Sequence, residues 1–257
     1  MNQRGFALIA TLWVITVLTA VVGLSLATTR LGQQATLNRL ALARGRWAAE
    51  ACLAIAQARW TQGKLADTAT VDLGRATRCA WQLEDPTAKV NFNTADPDVL
   101  GRLGANEPFI RALVERRRQV PFDDLGQVAA LPGADSNVLS LGTVVGPGSV
   151  NLSVAPRAVL EAVIGQASAE AADRLLGRRA VGRSYPSLDA LIADLSPAAR
   201  AALLSRYADL ARLATFTAPQ LVITATGWVG GAPPRATIEV VVVPLPERLA
   251  VVRQRVW

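Results

Sequence analysis

Three observations predict an α+β chain: a long amino-terminal helix packed on an antiparallel sheet, with a large all-helical domain inserted between strands. The first is an uncharged apolar run, Phe6–Thr29, that continues without proline to Gln62. The second is a pair of alternating, β-branched regions at 70–93 and 219–257. The third is the block 94–215 between them, whose apolar spacing turns helical.

Phe6–Thr29 holds 24 residues without a charge, bounded by Arg4 and Arg30. As a helix it spans roughly 36 Å, enough to cross a bilayer core of about 30 Å. No small-x-small cleavage site follows cleanly, which favours an uncleaved anchor over a secretory signal. Beyond Arg30 the chain is rich in Ala, Leu, Arg and Gln. Ala41, Ala48, Cys52 and Ile55 share one helical stripe, whereas Arg39, Arg46, Glu50 and Gln57 share another. Gly63 is a natural stop. A single helix Phe6–Gln62 would be roughly 85 Å long, with an apolar half and a half offering small residues to a sheet.

Val71, Leu73, Cys79, Trp81 and Leu83 alternate, predicting two short strands turned near Gly74, with Lys89–Asn93 as a third. Helices start at Asp96-Pro97 and Ser196-Pro197, each a capping side chain followed by proline at the first helical position. Gln220–Val229, Arg235–Val243 and Leu249–Val256 read as three closing strands, the first two turned by Gly230-Gly231-Ala232-Pro233-Pro234. Inside the helical block, residues 89–100 align without gaps with residues 149–160, five of twelve positions being identical. Each copy leads to clustered arginines (Arg116, Arg117, Arg118; Arg178, Arg179, Arg183) and then to a proline-containing turn, Pro121-Phe122 or Tyr185-Pro186. Asn91 and Asn151 fall where a side chain bonds nearby backbone and fixes a strand exit.

Composition excludes several functions. There is no histidine and there are only two cysteines in 257 residues. Ser–His and Cys–His triads, His-ligated zinc and four-cysteine metal sites are therefore ruled out. Ser-x-x-Lys, Gly-x-Ser-x-Gly and P-loop patterns are absent. The expectation is a protein that is not an enzyme.

A short basic leader ending in Gly5, then Phe6, then an apolar helix continuing amphipathically, resembles type IV pilins and type II secretion pseudopilins. The resemblance implies a pilin-like fold. It implies a prepilin peptidase cut between Gly5 and Phe6 and N-methylation of Phe6. The family usually has glutamate at the fifth mature position; here that position is Ala10. Such a glutamate neutralises a neighbouring subunit's terminal amine, a charge costly to strand in lipid. Its absence, a Val-Asn-x-Asn-Thr-Ala element (Val90–Ala95) and a large helical insertion resemble the K-type minor pseudopilins (general secretion pathway protein K). These are proposed to stand at the filament tip, where no subunit above needs neutralising.

On this reading residues 1–5 are the leader, 6–29 the transmembrane half of the helix and 30–63 its periplasmic half. Residues 70–93 begin the sheet, 94–215 form the insertion and 219–257 complete the sheet. The chain would be a single-pass inner-membrane protein with its carboxy-terminal bulk in the periplasm. Expected partners are the I-type and J-type minor pseudopilins, the prepilin peptidase, and secretion cargo or the secretin. Cys52 and Cys79 would both be periplasmic, where disulfides persist; they stand either as a bridge or as two separate buried thiols. The family implies calcium in loops of the helical domain. The carboxylate pairs Asp96/Asp98, Asp123/Asp124 and Asp189/Asp194 lack EF-hand spacing, so no cofactor is assigned to them.

Two alternatives share features with this reading. A minor pilin of a type IV pilus shares the leader. A membrane-anchored helix-hairpin-helix DNA receptor shares the Asn-Phe-Asn-Thr-Ala element and the arginine clusters. A phosphate-binding hairpin, however, needs a glycine-hydrophobic-glycine turn, and here the corresponding residues are Leu103-Gly104-Ala105-Asn106. Charge also speaks against nucleic acid. Of the net +7, residues 1–89 carry +5 and 216–257 carry +2, while 90–215 hold 13 basic and 13 acidic residues. A phosphate-binding domain should be the basic part of the chain.

Overall fold

The computed structural model describes residues 3–165, 169–231, 233–234 and 236–257, with the backbone alone for residues 3–10. Helix α1 runs Gln3–Thr61, 59 residues, or about 88 Å. Its end is a Schellman turn: Gly63 N–H donates to Trp60 O and Lys64 N–H to Arg59 O, with Gly63 at φ 65°. From Thr11 onward it is long and apolar enough to cross a membrane, and its window of highest hydropathy is wholly exposed. Leu12, Trp13, Val14 and Leu18 are all exposed there rather than packed on the core.

The other end of α1 lies on a five-stranded antiparallel sheet in the order β1-β2-β7-β8-β9. The strands are β1 (Thr68–Gly74), β2 (Thr77–Glu84), β7 (Leu221–Val229), β8 (Ala236–Leu245) and β9 (Arg248–Val256). Between helix and sheet, Ala48, Ala49, Cys52 and Ala56 pack on Cys79, Trp81, Ile223, Ala225, Ile238 and Val240. Small residues on the helix let it approach closely. A Cβ built on Gly227 would collide with the carbonyl oxygen of Gly45, so backbone meets backbone there. Cys52 and Cys79 are joined as a disulfide across this interface, with Cα atoms 5.9 Å apart and both residues fully buried.

The insertion leaves at the end of β2 and returns at the start of β7, two neighbouring strands in which Glu84 pairs with Val222. Its entry and exit are therefore side by side, and the sheet closes beneath it. A 3₁₀ turn, Pro86–Ala88, capped by Asp85, opens the insertion. The expectation of a third sheet strand at Lys89–Asn93 is corrected: β3 is only Val90–Asn91 and pairs in parallel with β4 (Gly142–Thr143) inside the insertion. Two-residue strands this short carry no face of their own, which is why alternation misassigned them. Between β3 and β4 lie α2 (Pro97–Arg102), α3 (Glu107–Gln119), α4 (Leu125–Ala129) and α5 (Ser136–Ser140).

The second half repeats the plan. β5 (Val150–Asn151) pairs in parallel with β6 (Ala214–Thr215). Between them run α6 (Arg157–Ile164), α7 (Ala169–Ala180), α8 (Leu188–Ala193), α9 (Pro197–Leu204) and α10 (Tyr207–Leu213). Ser196 caps α9 through Ala199 N–H as expected, but Asp96 holds the cap position of α2 without a side-chain bond. The two halves share one core, built around Phe92, Phe109, Leu113, Leu152, Leu160 and Leu191, which is separate from the core under α1.

Candidate functional site

The residues singled out from sequence divide into three places. Gly5, Phe6 and Ala10 lie on the first turns of α1, and their side chains are outside the described residues; so are Met1 and Asn2 of the expected leader. Ala232 and Arg235 of the predicted turn and strand also lie outside them. Cys52 and Cys79 sit 0% exposed in the helix–sheet core and offer no reactive surface.

The third place is the repeated element. Asn91 Oδ1 accepts Asn93 N–H and Asn151 Oδ1 accepts Ser153 N–H. Both asparagine carbonyls also receive the N–H four residues on, from Ala95 and Ala155. The spare amide of Asn91 reaches Gly146 O across the half, and that of Asn151 reaches the Asp85 carboxylate at the root of the insertion. Each turn is then gripped by one arginine. Arg117 donates to Phe92 O and Ala95 O. Arg179 donates to Leu152 O, Ser153 O and Ala155 O. Burial lowers the pKa of both guanidinium groups, with Asp96 opposing it at Arg117. The preceding arginines stack on the following aromatics: Arg116 over Phe122 at 5.8 Å and Arg178 over Tyr185 at 4.2 Å. Sequence reasoning saw these arginines as clusters but missed their inward roles. The similar order and spacing in the two halves were the available signal: 26 and 28 residues from asparagine to gripping arginine, then 6 and 7 from the stacked arginine to its aromatic.

The remaining carboxylates have local work. Asp123 pairs with Arg253 and Arg255 of β9, and Asp124 caps α4 through Gln127 N–H. Asp189 accepts the Tyr207 hydroxyl, and Asp194 accepts that of the buried Tyr185. The Tyr185 bond draws the Asp194 pKa down, and burial pushes that of Tyr185 up. Among the described residues no three acidic, cysteine or histidine groups gather as a metal site. Asp96, Asp98 and Asp209 line an open cleft of about 720 Å³ between the halves. Its arginines are bound within the fold, Arg102 to Ala162 O and Arg206 to Ile164 O. Among its described lining residues no nucleophile is paired with a base.

No family model and no curated protein matches the chain. Among solved structures, it is similar to a chain of the crystal structure of the GspK-GspI-GspJ complex from the enterotoxigenic Escherichia coli type 2 secretion system. The TM-score is 0.59 at 15% identity, over 89% of this chain and 99% of that one. At that identity the likeness is one of fold.

Proposed function

We propose that this chain is a minor pseudopilin of the K type, a structural, non-enzymatic subunit at the tip of a type II secretion pseudopilus. It is anchored in the inner membrane by α1, with the sheet and insertion in the periplasm, and it helps start filament assembly with the I-type and J-type minor pseudopilins. The carrying observation is the likeness of fold over 89% of this chain and 99% of the other. Ala10 in place of the usual glutamate supports the tip, where no terminal amine above needs neutralising. An insertion of this size would also obstruct a subunit stacked over it. Against the DNA-receptor reading, four of the six clustered arginines are turned to the fold itself, Arg117 and Arg179 to backbone carbonyls and Arg116 and Arg178 to aromatic rings.

The test is co-purification of the full-length chain with minor pseudopilins of its own secretion system, alongside secretion by a strain carrying Gly5→Ala. The expected result is a shared complex, and for Gly5→Ala an uncut precursor and secretion reduced at least tenfold. Unchanged processing and secretion in Gly5→Ala would sink the proposal.

A further inference from the structure

We propose that the lower end of the sheet, where the turns after β1 and β7 meet, rests on an anionic lipid headgroup layer through Arg75 and Arg78. This rests on the anchor of the pseudopilin reading, with residues 6–29 in lipid, and concerns what stands just above it. Strand β2 rises alongside α1, because Cys52 is bonded to Cys79 and Arg59 stacks over Trp81. The turn before β2 therefore points toward the membrane. Strand β7 pairs antiparallel with β2, Val229 opposite Thr77, so the turn after β7 points the same way. The two turns are joined, Gly230 N–H donating to Ala76 O at 2.7 Å. Height follows from the register. Gly227 lies against α1 at Gly45, roughly 22 Å above Arg30 along the helix. Gly230 is roughly 10 Å further down the strand, which sets the turns about 12 Å above Arg30. A headgroup layer occupies about 5–8 Å beyond the hydrocarbon. The turns then stand within a Debye length, about 8–10 Å, of its surface.

Charge selects the surface. From Arg30 up to Glu50, α1 carries Arg30, Arg39, Arg44 and Arg46 and no acidic residue. Among the described residues only Arg46 of these four is ion-paired, with Glu50. Arg75 and Arg78 are exposed and also lack an ion pair among the described residues, Arg78 lying over the Trp228 ring at 5.6 Å. The nearby carboxylate, Asp72, accepts the Gly74 N–H. The turn itself is strained: Arg75 and Ala76 both take left-handed backbone, at φ 52° and 56°, where asparagine and glycine are the ordinary choice. An arginine is thus held at the tip of a two-residue turn that its backbone disfavours. A phosphate-bearing anionic headgroup supplies the countercharge, and its pull on each arginine fades beyond a Debye length.

The test places the full-length protein, with a fluorophore on Leu73→Cys beside the turn, in nanodiscs whose headgroups bear a quencher. Quenching should be about fivefold stronger when phosphatidylcholine discs also contain phosphatidylglycerol. That excess should disappear in high salt. Arg75→Asn should remove most of it without lowering the melting temperature, since asparagine accepts the left-handed turn. Arg183→Asn, at an exposed arginine of the insertion, should change nothing. Equal quenching in neutral and anionic discs, or an excess that Arg75→Asn leaves intact, overturns the proposal; protein still held in the discs keeps the anchor. Protein that inserts into neither disc overturns both. If inorganic phosphate abolishes the excess and chloride of the same ionic strength does not, the turns hold a free anion and the lipid assignment falls.

Discussion

At the scale of single residues, Gly227 lies against the backbone of α1, where any Cβ would run into the carbonyl oxygen of Gly45. Gly227 pairs with Cys79 in the sheet, so helix, strand and disulfide meet at one level. Gly227→Ala should push α1 off the sheet. The expected cost is about 1–3 kcal/mol, the range for overpacking a tight core, read as a lower denaturation midpoint in detergent. Equal stability would show that the helix is not held so close. The two arginines of the repeat make the complementary point. Their charge suggests a surface partner, but the structure shows Arg117 and Arg179 tying down five backbone carbonyls. No composition count separates an arginine facing phosphate from one facing its own backbone.

Among the elements, α1 and strands β7 to β9 were legible in the chain because each has length enough to show its period. The small-residue stripe Ala48–Cys52 pointed to the face that meets the sheet. The strands β3 to β6 were not legible as pairs: two residues show no alternation, and each partner lies some fifty to sixty residues away. Strand β8 meets the insertion through Glu239, which lines a hollow of about 280 Å³ with Glu84, Lys89, Asp123 and Arg255. Burial raises the pKa of Glu239, with Glu84 adding to the rise and Arg253 opposing it. A raised native pKa means the folded state holds this proton more tightly than the unfolded one. Stability is then lost as pH climbs from the ordinary glutamate range through the raised value. Glu239→Gln should accordingly melt higher than wild type at pH 7, the gain vanishing below about pH 4. A variant that melts lower at pH 7 would show that the attraction of Arg253 outweighs burial.

Taken whole, the molecule is two cores on one stalk, with no buried residue common to the insertion's core and the helix–sheet core. Calorimetry of the full-length protein should show two transitions. Reducing the Cys52–Cys79 bridge, which spans 27 residues, should lower only the helix–sheet transition, by roughly 3 kcal/mol of stability on the chain-entropy account. A single transition, or a shift in both, would mean that the insertion and the sheet unfold as one unit. Thiol titration of the denatured, unreduced chain should find no free thiol.

The sequence by itself determined the long helix with its apolar half and its sheet-facing stripe, the closing strands and the neutrality of the insertion, because these follow from local period and local charge. Only the tertiary structure decided where the insertion leaves the sheet, which short strands pair, and where the arginines point. It also decided that Leu37, Leu40 and Trp47 remain uncovered. Those outcomes depend on contacts between residues far apart in the chain, and on which face of a helix its own fold leaves free.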